Sequence, residues 1–102
     1  MPPAAVAFAS KSSGHDCFPP QTAISGCPTV LIGGFPAHRF GDMWSVHCCP
    51  KKGCHPGFLI SGSLTVYIGG QPAGRMGDEV GGPACGPMNK VLSGHPTVYI
   101  GG

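Results

Sequence analysis

Three times along the chain the same eleven-residue phrase recurs, and nothing else in the sequence limits the fold as strongly. Residues 24–34 read Ile-Ser-Gly-Cys-Pro-Thr-Val-Leu-Ile-Gly-Gly and residues 60–70 read Ile-Ser-Gly-Ser-Leu-Thr-Val-Tyr-Ile-Gly-Gly. Residues 92–102 read Leu-Ser-Gly-His-Pro-Thr-Val-Tyr-Ile-Gly-Gly. The spacing is 36 residues from Gly26 to Gly62 and 32 from Gly62 to Gly94. Such a period means one small unit used repeatedly, in a stacked or pseudo-symmetric object. Without it, 18 Gly and 12 Pro in 102 residues would read as disorder. With it, they read as turns.

Thr-Val-Leu-Ile and Thr-Val-Tyr-Ile are β-branched or aromatic at nearly every position, as a strand prefers. The Gly-Gly after each is a two-residue hairpin signal, because both residues can take positive φ. A second phrase follows the first two copies: Phe35-Pro36-Ala37-His38-Arg39-Phe40-Gly41-Asp42 and Gln71-Pro72-Ala73-Gly74-Arg75-Met76-Gly77-Asp78. It reads as the return strand, with Pro near its start, where a missing N–H is tolerated. The third copy stops at Gly101-Gly102, so the expectation is three strand units, two complete hairpins and a C-terminus at an edge. Val30, Val66 and Val98 alternate with Leu31, Tyr67 and Tyr99, so one set faces inward and the other outward. Helix-compatible stretches are short and interrupted by Pro. The fold class is all-β: a small pseudo-threefold β-repeat with short hairpins and turn-rich loops.

Composition narrows the function classes. Charged residues are only 10% of the chain, low for an independent soluble domain, so part of the surface is expected to be covered by a partner. The net charge is +2 and Lys51-Lys52 is the only adjacent basic pair, too little for a nucleic-acid surface. No apolar run approaches the ~20 residues needed to cross a bilayer. Ala4-Ala5-Val6-Ala7-Phe8-Ala9 lacks the preceding positive charge of a secretory signal, so export would use a route that reads no cleavable leader.

Pro36-Ala37-His38-Arg39 and Pro72-Ala73-Gly74-Arg75, with the surrounding Gly-x-Pro-Thr-Val and Arg-x-Gly-Asp elements, resemble the Pro-Ala-Ala-Arg motif of the PAAR-repeat family. The resemblance runs from about Gly14 to the C-terminus. Both copies depart from the motif at its second Ala, Leu64 replaces the usual Pro, and Cys27 and His95 stand where Ser is more usual. The resemblance implies a small cone that caps the trimeric VgrG-type spike of a type VI secretion system, one copy per trimer. It implies a segment 1–13 followed by a single PAAR-repeat domain over 14–102, without an effector extension. It also implies a structural zinc ion near the tip, held by three His and one Cys. Carried onto this sequence, the ligands are His15, His47, His55 and Cys85.

The residues agree with that set. His15, His55 and Cys85 precede Gly26, Gly62 and Gly94 by 11, 7 and 9 residues, so pseudo-threefold symmetry would bring them to one axis. His47 adds the fourth donor, and four protein ligands make a closed, structural site. A competing set is Cys17, Cys48, Cys49 and Cys54, with Cys49-Pro-Lys-Lys-Gly-Cys54 as ligand spacing, but it ignores the repeat symmetry. If His15 and His47 share a metal, a disulfide between Cys17 and Cys48 or Cys49 becomes geometrically possible, although a reducing cytosol would keep thiols. His38 and His95 read as surface residues. Arg39 with Asp42 and Arg75 with Asp78 recur at one spacing, either as a spike contact or as a pair locking each hairpin end.

The expected function is therefore mechanical. The chain would sharpen the spike, aid puncture of the target envelope without stable membrane binding, and offer a site for effector proteins. It would assemble in the bacterial cytoplasm and leave through the secretion apparatus. The rival reading is a small metal or thiol enzyme. Against it stand the absence of His-Glu-x-x-His, of Cys-x-x-Cys and of Gly-x-Ser-x-Gly, and a single Glu, Glu79, as general base.

Overall fold

The structure is a computed structural model that describes residues 1–81 and 89–101. Among these there is no helix. The strands are β1 (Cys27–Ile32), β2 (Phe35–Ala37), β3 (Met43–Cys49), β4 (Gly53–Leu59), β5 (Tyr67–Ile68), β6 (Gln71–Pro72) and β7 (Val80–Gly81). β1 and β2 form the first repeat hairpin, closed by Ile32 opposite Phe35 across Gly33-Gly34. β5 and β6 form the second, closed by Ile68 opposite Gln71 across Gly69-Gly70. The paired glycines have φ of 59° and 85° in the first turn and 57° and 83° in the second. A turn with both central residues at positive φ matches strand twist, and Gly reaches it without steric cost.

The third unit departs from expectation. Its return strand is present, and the N-terminus supplies it. Ala4 donates its N–H to the Val98 carbonyl, Ile100 donates to Pro2, His95 donates to Ala4, and Pro3 bridges Tyr99. Pro3-Ala4-Ala5-Val6 thus stands where Pro36-Ala37-His38-Arg39 and Pro72-Ala73-Gly74-Arg75 stand. Three equivalent residues close a ring of backbone hydrogen bonds: Ala5 N–H to Gly74 O (3.0 Å), Gly74 N–H to His38 O (2.9 Å), and His38 N–H to Ala5 O (3.0 Å). A second ring runs from Ala7 to Pro36, Phe40 to Pro72 and Met76 to Pro3 at 2.8–2.9 Å. These rings define the pseudo-threefold axis.

Two apolar layers stack along it. The one nearer the hairpin turns contains Ala4, Ala37 and Ala73 with Ile68 and Ile100, and Ile32, Val66 and Val98 pack against it. Val66 and Val98 thus face inward with the isoleucines, whereas Val30 is 37% exposed and breaks the alternation in the first unit; Leu31, Tyr67 and Tyr99 are 61%, 60% and 50% exposed. The next layer holds Ala23, Leu59 and Val91, each three residues before its repeat glycine, together with Ala5, Trp44 and Val80. Beyond these, buried Gln21 and Asn89 form a polar layer. Asn89 Nδ2–H donates to Gln21 Oε1, and Gln21 Nε2–H donates to the Ser45 carbonyl. Gly57 is their counterpart in the second unit, and a Cβ there would meet the Gln21 amide at 3.1–3.2 Å. The molecule is elongated, 38 × 23 × 23 Å.

His38 is fully buried, which overturns its reading as a surface residue. Its ring lies edge-on to Trp44, centroids 5.1 Å apart. The room comes from its symmetry mates. A Cβ on Gly74 would already meet Leu59 Cδ2 at 2.7 Å and the His38 carbonyl at 2.9 Å. His95 is half-buried and lies over Gly33, where a Cβ would clash with its ring. Arg39–Asp42 and Arg75–Asp78 are ion pairs at 3.0 Å, and each aspartate also accepts the arginine's own backbone N–H. Ser10 performs the same capping on Val6 at 2.9 Å in the N-terminal unit.

Candidate metal centre

The residues that reach the end opposite the hairpin turns come from two local devices. The first is the turn from Gly14 to Phe18. Gly14 takes φ +74°, and a Cβ there would meet the Phe18 carbonyl at 2.5 Å, so the chain folds back only with glycine at this position. His15 and Phe18 exchange both backbone hydrogen bonds, and Asp16 adopts positive φ between them. The second device is the β3–β4 hairpin, which sequence reasoning missed. Its register places His47 opposite His55 and Cys48 opposite Cys54, with a bulge between Trp44 and His47. Trp44 and His47 are three residues apart, so a regular strand would turn them to opposite faces. The extra residue of the bulge lets both face inward.

These devices bring His15, His47 and His55 together. One ligand nitrogen from each lies within 4.8 Å of the others. The ring centroids are 4.5 Å apart for His47–His55, 4.9 Å for His15–His47 and 5.1 Å for His15–His55. All three side chains are buried. Phe18 packs on each ring at 4.4–4.9 Å and closes one side of the triad with an aromatic face. No sequence pattern singled out Phe18, whose place depends on the Gly14 turn. Cys85, the fourth expected ligand, lies outside the described residues.

The donor chemistry fits a cation. The Pro19 carbonyl only accepts, so its 2.6 Å contact fixes the proton of His47 on Nδ1 and leaves Nε2 as a lone pair. His47 Nε2 and both ring nitrogens of His15 are buried with no hydrogen-bond partner among the described residues. A buried polar atom left unsatisfied costs roughly 1–3 kcal/mol, which a bound ion would offset. Burial, then the neighbouring His47 and His55, hold the pKa of His15 below its ordinary value. Burial, then His47, does the same for His55. Both are therefore neutral at neutral pH, the form that binds metal. Tetrahedral Zn–N bonds of ~2.0–2.1 Å place ligand atoms ~3.4 Å apart, so closure on an ion asks for little movement.

The cysteines around the triad are paired. Cys17 bonds Cys49 with Cα atoms 5.4 Å apart, and Cys48 bonds Cys54 with Cα atoms 4.1 Å apart. Of the two bridges from Cys17 that the sequence left possible, the structure has the one to Cys49. With its disulfides formed, the chain does not offer the four-cysteine alternative, because all four sulfurs are paired. Cys27 is buried as a free thiol near the hairpin end, away from the triad.

The PAAR motif family model matches residues 13–86 and, overlapping, 51–102. No curated protein matches the chain. With the repeat, the three hairpins and the histidine triad in place, that match spans nearly the whole sequence. The chain belongs to the PAAR motif family, the family of type VI secretion spike-tip proteins.

Proposed function

We propose that one copy of this chain caps the end of a VgrG-type trimer and forms the point of the spike. The observation that carries the reading is the threefold disposition of exposed apolar side chains. Leu31, Tyr67 and Tyr99 occupy one position in three units related by the backbone rings, and each is at least half exposed. A pseudo-threefold face of this kind matches a true threefold end approximately, and its apolar side chains are suited to burial against a partner. Strand edges at the hairpins offer backbone groups for continuing the trimer's β-structure.

At the opposite end His15, His47, His55 and Cys85 hold one zinc ion as a closed, structural site. The three imidazoles supply neutral nitrogen donors and Cys85 the thiolate. Such a site leaves no open position for substrate, in keeping with a mechanical role and no catalysis. The chain assembles in the cytoplasm, leaves with the spike, and offers its remaining surface to effector proteins. Co-purification with the VgrG-type trimer of the same genome, with stoichiometry by mass, tests the reading. One copy per trimer supports it, and no binding to any such trimer overturns it.

A further inference from the structure

Every histidine of the triad has a half-cystine within two residues. Cys17 follows His15, Cys48 and Cys49 follow His47, and Cys54 precedes His55. The two disulfides tie these segments in series. Cys17–Cys49 joins the His15 turn to β3, and Cys48–Cys54 joins β3 to β4. Alternation along β3 sends the neighbours to opposite faces, Cys48 exposed and Cys49 buried, which separates the two bridges. Three of the segments that an ion would gather, those of His15, His47 and His55, are the three that the disulfides gather.

We propose that the metal ion and the disulfide pair are alternative staples of the tip, either of which alone keeps the histidine triad assembled. This deepens the metal reading above and rests on it. Cys17–Cys49 spans 32 residues of chain, and closing a loop removes conformational freedom from the unfolded state. An ion bridging His15 to β3 removes much of the same freedom. The second constraint therefore finds little left to remove, and the two stabilisations are strongly non-additive.

The staples suit different surroundings. In a reducing compartment the four cysteines are thiols and the ion holds the triad. On meeting a small-molecule disulfide, the exposed Cys17 thiolate attacks one of its sulfurs and expels one thiolate. The Cys49 thiolate then attacks the Cys17 sulfur of the mixed disulfide and expels the second. Two cysteine thiols have lost two electrons and two protons, and the small disulfide has become two thiols. Cys48 and Cys54, both exposed, close by the same exchange. Afterwards the tip keeps its shape even where a chelator takes the ion.

The test is thermal unfolding of the full chain in four states: thiols reduced or disulfides formed, each loaded with zinc or treated with EDTA. The inference expects chelation to lower Tm by at least about 10 °C in the reduced protein and by less than about 3 °C in the oxidised one. The double variant C17S/C49S, kept under oxidising conditions, should move toward the reduced pattern. Equal drops in both redox states, with zinc content confirmed, overturn the inference and leave the metal site standing. Absence of zinc from every state overturns the metal reading, and the inference with it.

Discussion

Ala4 donates its backbone N–H to the carbonyl of Val98 at 2.8 Å, so segments far apart in the sequence pair antiparallel. That bond has its counterpart between near neighbours in the second unit, Ala73 N–H to Val66 O at 2.9 Å. Ala4, Ala37 and Ala73 are each at most 1% exposed and share one core layer. Replacing any of them by Leu forces extra volume into that layer, at about 1–3 kcal/mol. The expected outcome is that Ala4→Leu, Ala37→Leu and Ala73→Leu lower the urea midpoint by similar amounts. A neutral Ala4→Leu would show that the N-terminal strand is not seated in the core.

His38 predicts acid sensitivity. Burial is the largest influence on its pKa and lowers it below 6.5, against smaller raising effects from the Ser25 carbonyl and Asp42 and a lowering one from Arg39. Its Nδ1–H donates to the Ser25 carbonyl at 2.7 Å, and burial favours the neutral ring in the folded protein. An unfolded chain takes up a proton below 6.5 more readily than the folded one does. Stability is therefore full above 6.5 and falls as pH drops from there toward the folded-state pKa. Urea unfolding between pH 5 and 8, at fixed metal and redox state, should show this limb. The limb should be shallower in His38→Leu, which is less stable at neutral pH for want of the Ser25 bond.

The hairpins with Gly-Gly turns were legible because sequence neighbours make them and the phrase repeats. The N-terminal strand was not, although Pro3-Ala4-Ala5-Val6 carries three of the four motif letters. Val6 and Ser10 replace the Arg and Asp of the other units, and Ala9 is an extra residue between Phe8 and Ser10. Phe8 takes φ 66° at the place where Gly41 and Gly77 stand, so even the turn signal is disguised. The β3–β4 hairpin escaped notice because its bulge breaks the period of two. His15, His47 and His55 were identified through the family pattern and the repeat. Their meeting, by contrast, depends on the Gly14 turn and that bulge. His38 looked like an exposed residue because its burial depends on Gly74 and Ala5 being small, a property of symmetry mates far away in sequence.

If the proposed zinc site is as described, removing one imidazole should release the metal. His47→Ala deletes the nitrogen whose lone pair the Pro19 contact exposes, and His55→Ala deletes its cross-strand partner. Either variant, purified from zinc-containing medium, should carry under a tenth of an equivalent of zinc, and in its thiol-reduced state should melt at least about 10 °C lower. Metal analysis and calorimetry check both together. Wild type should release zinc only as pH falls below the ordinary histidine range, because His15 and His55 have lowered pKa values and resist protonation. Release beginning well above pH 6.5 would contradict neutral imidazole ligation.

Tyr67 and Tyr99 are exposed at equivalent positions and belong to neither apolar layer; the one hydrogen bond of these side chains among the described residues is from the Tyr99 hydroxyl to the Pro96 carbonyl at 3.0 Å. Replacing both by Asp should change stability by no more than about 0.5 kcal/mol per site, as is usual for surface positions. The same change places two carboxylates in the face proposed to bury against the trimer, where an unpaired charge is costly. Affinity for the VgrG-type trimer should fall at least about tenfold, a loss of ~1.4 kcal/mol. Val46→Asp is the control, since Val46 is equally exposed but lies on β3, toward the histidine end. If Val46→Asp weakens binding and the tyrosine variant does not, the trimer sits on the other end of the molecule and the orientation of the tip must be reversed.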